Sequence, residues 1–109
     1  MRPTQQDAGR VLDLRDDETP DFLEMRKVVL LAILEDDELS LRVRHRLGLV
    51  CARLRVDCGV VAPDSKVAAA FGVKSAPMLL VFDGGEVVDR LIGAPPEEII
   101  AETVQTRMR

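Results

Sequence analysis

Few residues in this chain are able to do chemistry. Cys51 and Cys58 are the only thiols, His45 is the only imidazole, and Tyr and Trp are absent. Two cysteines at this separation fit no zinc-ligand spacing and are too few for a disulfide scaffold. The chemistry open to them is that of a thiolate, a mixed disulfide or a peroxide-oxidised sulfur, and it needs an exposed cysteine with a depressed pKa. The ordinary role of such residues is that of small buried hydrophobes. His45 alone, with no nearby Cys, makes neither a convincing ligand nor a general base.

Glu35-Asp36-Asp37-Glu38 is the acidic cluster, and Arg42, Arg44, His45 and Arg46 form the basic one. Carboxylates just ahead of a helix stabilise its unsatisfied N–H groups, and that bland role outweighs the sharper ones. A sharper role is a negatively charged rim for a basic partner segment. A calcium site has the oxygens but lacks the spaced, glycine-containing loop. The arginines spread around a solvated helix face. Contact with an acidic partner, or with the acidic cluster of a second copy in a homodimer, is compatible with them, whereas nucleic-acid binding lacks aromatic support and suitable net charge.

At 109 residues the chain is one domain, long enough to bury about two-thirds of its unfolded surface. A net charge of -4 favours solubility and gives no general pull toward nucleic acid or anionic membrane. No apolar run approaches the roughly 20 residues that cross a bilayer, and the start MRPTQQDAGR carries no secretory core, so the expected location is cytoplasmic. No cofactor and no metal is implied.

The elements that must position these residues follow from patterning. Residues 1–9 are polar and read as a flexible N-terminus, with the domain over 10–109. Val11 to Leu14 suits a short strand. Thr19 is expected as N-cap and Pro20 as first residue of a brief helix, Asp21 to Met25, burying Phe22 and Leu23. Val28 to Leu34, VVLLAIL, is an uninterrupted apolar strand for the centre of a sheet. Leu39, Val43, Leu47, Val50 and Leu54 then recur at helical spacing.

Gly48 leaves two registers open. If the helix runs on to about Arg53, the third strand is Arg55 to Val61, and Cys51 on the helix and Cys58 on the strand can approach each other. If the helix stops at Gly48, the strand is Leu49 to Val56, and both cysteines lie on one extended segment, over roughly 20 Å apart and unable to bond. The long helix is favoured. Asp64 and Ser65 open a helix from Ser65 to Phe71, ended by Gly72. Pro77 breaks the chain and pushes Ala76 to an extended conformation. Met78 to Phe82 is a covered strand, Asp83-Gly84-Gly85 a hairpin, Glu86 to Ile92 its partner strand, and Gly93 the end. A last helix starts near Pro95-Pro96 with Glu97 and Glu98 in its first turn. Ile99, Ile100, Thr103 and Val104 form its buried side, and Arg107 and Arg109 suit its C-terminus. The class is α/β.

The stretches FGV, SAP, MLLVFDGGEVV and IG, with the helix after them, resemble the C-terminal half of thioredoxin. The opening of strand, acidic loop, helix and apolar strand matches as well, so the resemblance covers almost the whole chain. It implies a thioredoxin-like fold, a central mixed sheet of about five strands flanked by about four helices. It also implies a cis Ala76-Pro77 bond in a loop that receives partner peptides.

The resemblance has gaps. Thioredoxin chemistry places Cys-x-x-Cys at the N-terminus of the helix after the central strand, where the helix dipole lowers a thiol's pKa. Here Glu35-Asp36-Asp37-Glu38 stands in that place, the aromatic residues before it are missing, and VVLLAIL carries no acid. The expectation is therefore a redox-inactive thioredoxin-like binding module, a chaperone, adaptor or assembly subunit. Another protein or an extended peptide would pair with the backbone at Ala76, in a groove shaped by Ser75, Pro77 and Gly93 and rimmed by Glu35, Asp36, Asp37 and Glu38. A narrower resemblance is to the thioredoxin-like chaperones of hydrogenase maturation, which also lack Cys-x-x-Cys and are acidic after the central strand. The competing expectation is a thiol-disulfide or peroxide-reactive single-cysteine redox protein using Cys58 or Cys51.

Overall fold

The apolar run VVLLAIL has no polar residue to give it a wet face, so both faces must be covered. In the computed structural model, which describes residues 9–24 and 27–108, it supplies the central strand of one sheet. The elements are β1 (Val11–Asp13), α1 (Thr19–Leu23), β2 (Val28–Ile33), α2 (Glu38–Leu54), β3 (Cys58–Val61), α3 (Lys66–Ala70), β4 (Met78–Asp83), β5 (Glu86–Ile92) and α4 (Glu97–Met108). The strand order is β1-β3-β2-β4-β5. β1, β3 and β2 run parallel, and β4 and β5 are antiparallel additions on the other side of β2.

Alternate residues of β2 enter two separate cores. Leu30 and Ala32 pack with Val43, Leu47, Val50 and Cys51 of α2 and with Ile100, Ala101 and Val104 of α4. Val29, Leu31 and Ile33 pack with Leu23 of α1, Ala68 of α3 and Phe82 of β4, where Phe71 meets Phe82 edge to face with centroids 5.3 Å apart. Helices thus cover both faces, and the mixed five-stranded sheet with four helices is the expected architecture.

The long-helix register is the one adopted. Gly48 costs α2 too little to end it. The helix stops instead at Arg55, whose φ of 58° is the left-handed cap, with its N–H and that of Val56 donated to the Cys51 carbonyl. That cap uses up the positions expected to begin the third strand, so β3 starts at Cys58 rather than Arg55.

Several boundaries differ for local reasons. Ser40 is buried and Leu39 is 45% exposed, because the Ser40 hydroxyl accepts the Glu35 N–H and its own N–H is donated to Asp37, turning Leu39 outward. α1 is capped at Glu18 rather than Thr19, whose hydroxyl instead donates to the Arg15 carbonyl. Phe22 is only half-buried, and Met25 lies outside the described residues. On α4 the buried side is Ile100, Ala101 and Val104; Ile99 is exposed, and the Thr103 hydroxyl donates back to its carbonyl. Arg109 and residues 1–8 lie outside the described residues. Among the described residues, no helix is long and apolar enough to cross a membrane.

Candidate functional site

The αL turn at Arg55 reverses the chain within a few residues, so that the last turn of α2 lies directly on the start of β3. Cys51 and Cys58 meet there, both fully buried, neither in a disulfide. The contact with the Cys51 thiol, followed by burial, holds the Cys58 thiol well above the ordinary thiol range; the Ala32 backbone and the Arg44 charge act weakly the other way. Cys58 Sγ also lies 3.5 Å from the Gly59 carbonyl, to which it donates. The arrangement is a shielded pair of thiols in which Cys58 stays protonated at neutral pH.

One segment lies across this pair. In the sheet, Cys58 has Leu30 of β2 on one side and Val11 of the three-residue edge strand β1 on the other. The Cys58 N–H donates to the Arg10 carbonyl at 2.9 Å. Just before it, the N–H groups of Gly9 and Arg10 donate to Asp57 Oδ1 at 2.8 and 3.2 Å, and Lys27 Nζ stands 3.9 Å from Asp57 Oδ2. Gly9, at φ +90°, passes so close to α2 that a Cβ would sit 2.7 Å from the Cys51 carbonyl oxygen. At the far end of β1, Asp13 pairs with Arg44 of α2 at 2.9 Å. Sequence reading passed over Asp57 and Gly9. The available signal was an acid between Val56 and Cys58 in an otherwise apolar run, a pattern that marks a buried carboxylate needing donors but does not say where they come from.

The residues expected around the proline turn gather at the other end of β2. The Ala76-Pro77 bond is cis, as the resemblance implies, and the Gly93 N–H donates to the Pro77 carbonyl at 3.0 Å. Pro77 is buried, Ala76 and Gly93 are half-buried and Ser75 is exposed, and Ile92, which pairs with Met78, is 78% exposed. Among the described residues, Ala76 makes no main-chain hydrogen bond. The acids, however, form no single rim. Asp37 accepts the Ser40 N–H, which with the Ser40 side chain holds its carboxyl below the usual range. Glu38 pairs with Arg42 at 3.1 Å, one turn along. Glu35 and Asp36 line a groove of about 720 Å³ with Leu41 and Asp64. The arginines also diverge, because successive helical positions face different neighbours: Arg44 meets Asp13, and Arg46 donates to the Ala94 and Pro95 carbonyls. The sulfur pair and the proline turn are not together. Cys58 aligns with Leu30 and Met78 with Ile33, on opposite sides of β2, so three residues along the strand and two strand spacings across it, about 14 Å in all, separate them.

With strand order, helix placement and the cis-proline turn established, the chain has the thioredoxin fold. It superposes on a mutant thioredoxin from Halobacterium salinarum with a TM-score of 0.87 over 94% of each chain at 19% identity. It superposes on thioredoxin F from spinach chloroplast with a TM-score of 0.84, over 96% of this chain and 92% of that one, at 13% identity. No family model matches. In sequence, 55 residues are 34% identical to a thioredoxin of Chlorobaculum thiosulfatiphilum, 50% of this chain and 46% of that protein. A further 69-residue match, 35% identical, is to the chloroplastic M-type thioredoxin of Chlamydomonas reinhardtii, 63% of this chain and 44% of that protein. The chain spans less than half the length of these curated relatives.

These relatives correct the functional expectation. They are named thioredoxins, the redox-active class, and that overturns the expected redox-inactive module and, with it, the chaperone reading. The expectation of a redox-inactive module rested on the carboxylates at the start of α2, the missing aromatic residues and the acid-free VVLLAIL, whereas the approach of Cys51 to Cys58 follows from the long-helix register.

Proposed function

We propose that this chain is a thiol-disulfide redox protein of the thioredoxin class whose working couple is Cys51 and Cys58, acting on disulfides of a polypeptide partner. The meeting of the chain's only two thiols across the α2–β3 turn carries this reading. It places the couple away from the start of α2, where the thioredoxin pattern has its cysteines and this chain has Glu35-Asp36-Asp37-Glu38.

The exchange follows thiol chemistry. One cysteine loses its proton and attacks a partner sulfur, forming a mixed disulfide and releasing one partner thiolate. The second, deprotonated in turn, attacks the first cysteine's sulfur and releases the other partner thiolate. Two electrons pass to the partner and two protons end on its thiols. The elevated Cys58 pKa means that this step requires the pair to open to water and base. Ser75, Ala76, Pro77 and Gly93 supply the docking edge, with the free main-chain groups of Ala76 available for strand-like pairing.

The test is to mix reduced protein with a disulfide-bonded peptide and follow both products by mass spectrometry. One Cys51–Cys58 bond should form for each peptide disulfide reduced, and neither Cys51→Ser nor Cys58→Ser should complete the cycle. Thiols that stay reduced until the chain is denatured would refute the reading.

A further inference from the structure

We infer that the segment from Gly9 to Asp13 is a strap over the Cys51–Cys58 pair, that the Asp57 carboxylate is its latch, and that its release is the route by which the sulfurs reach solvent. The inference deepens the reading of Cys51 and Cys58 as the redox couple and rests on it.

Four independent contacts define the strap. Gly9 lies on the Cys51 carbonyl, at an approach that excludes any side chain. The Arg10 carbonyl accepts the Cys58 N–H, so the strap bonds to the very residue it covers. Val11 packs beside Cys58 on the sheet face that holds α2. Asp13 is tied back to α2 through Arg44. Every other flank is closed by elements that cannot move without breaking the core: β2 is buried along its whole length, and α2 inserts Val43, Leu47 and Val50. β1, by contrast, is three residues long, lies at a sheet edge and buries none of them fully. Local opening takes the least-anchored element first.

The latch is ionic at one end. Asp57 is 9% exposed, and its Oδ1 takes two backbone N–H groups from the start of the strap. Hydrogen bonds to a charged acceptor are about twice as strong as neutral ones. Removing that acceptor takes away the bonds from the Gly9 and Arg10 N–H groups to Asp57, two of the contacts that hold the start of the strap. Asp57 is thus a positioning residue: it acts on the thiols only through the strap.

The experiment is alkylation of the native, reduced protein by iodoacetamide, with Cys51 and Cys58 peptides quantified separately, in wild type, Asp57→Ala and Asp13→Ala. Urea unfolding of each variant gives the rate that global unfolding alone would produce. Losing two charge-assisted bonds should raise Cys58 alkylation by roughly tenfold or more in Asp57→Ala, above that global rate, with a smaller rise in Asp13→Ala. Unchanged rates, or a rise accounted for by lost global stability, would overturn the strap. Should Asp57→Ala fail to fold, amide exchange in the wild type decides. The Cys58 and Leu14 N–H groups, bonded to Arg10 and Val60, should exchange faster than the Leu30 N–H, bonded to Asp57. Equal protection overturns the strap. Rapid alkylation in Asp57→Ala with no Cys51–Cys58 bond on exposure to a disulfide peptide would instead sink the redox reading and leave the strap standing.

Discussion

Gly59 lies beside Cys58 in β3 and faces the opposite core, where it admits Leu14 and Phe22. A Cβ on Gly59 would lie 2.3 Å from Leu14 Cδ1, 3.1 Å from Leu14 Cγ and 3.1 Å from Phe22 Cε2. Ordinary contact begins near 3.4 Å, so Leu14 must withdraw by about an ångström. Its backbone cannot follow, because the Leu14 N–H is held by the Val60 carbonyl at 2.9 Å. Overpacking of this kind costs about 1–3 kcal/mol, offset by about 0.4–1 kcal/mol from the stiffer unfolded chain, leaving a net cost centred on about 1.3 kcal/mol. Gly59→Ala should therefore lower the thermal midpoint by about 5–10 °C and the urea midpoint in proportion. The same substitution in a Leu14→Ala background should cost almost nothing, since the methyl then enters vacated space, and the cycle should show strong coupling. A Gly59→Ala protein as stable as wild type, or strictly additive effects, would show that this contact does not limit packing here.

Three further outcomes are expected. Cys58 has its pKa raised in the folded state, so its contribution is complete below the ordinary thiol pKa near 8.5 and fades as pH rises toward the folded value; Cys58→Val should flatten the alkaline decline in urea midpoint. Asp37 has its pKa lowered, so its contribution is complete above the ordinary Asp value near 4 and disappears as pH falls through the lowered one. Asp37→Asn, still a good N-cap, should keep neutral-pH stability while flattening the acid limb of thermal midpoint against pH. Arg55→Gly should stabilise by about 0.5–1 kcal/mol in urea unfolding, because a side chain at φ 58° carries strain that glycine does not.

The sheet was legible wherever one residue type dominated a stretch. VVLLAIL could only be a two-faced strand, and Asp83-Gly84-Gly85 fixed the hairpin because its glycines take φ of +64° and +88°. The end of α2 was less so: Gly48 left two registers open, with the long helix favoured, and the αL residue that ends it is an arginine, at the turn into β3. Leu39 fitted the helical stripe but lost its place to Ser40, whose hydroxyl has a bonding partner that periodicity cannot reveal. The candidate site was half visible. The proline turn showed in its residues, whereas the sulfur pair depended on which register held. Asp57 finds its donors nearly half the chain away, at a separation of 48 residues, which no local pattern records.

The interval along β2 between the proline turn and the sulfurs has a consequence for how such a protein can be altered. On the proposed reading, recognition and electron chemistry occupy separate addresses on either side of β2, so a change of clientele at Ser75 or Gly93 need not disturb sulfur chemistry, and a retuned sulfur pair need not cost a client. In a protein whose contact surface and reacting atoms coincide, every such change is a compromise between the two.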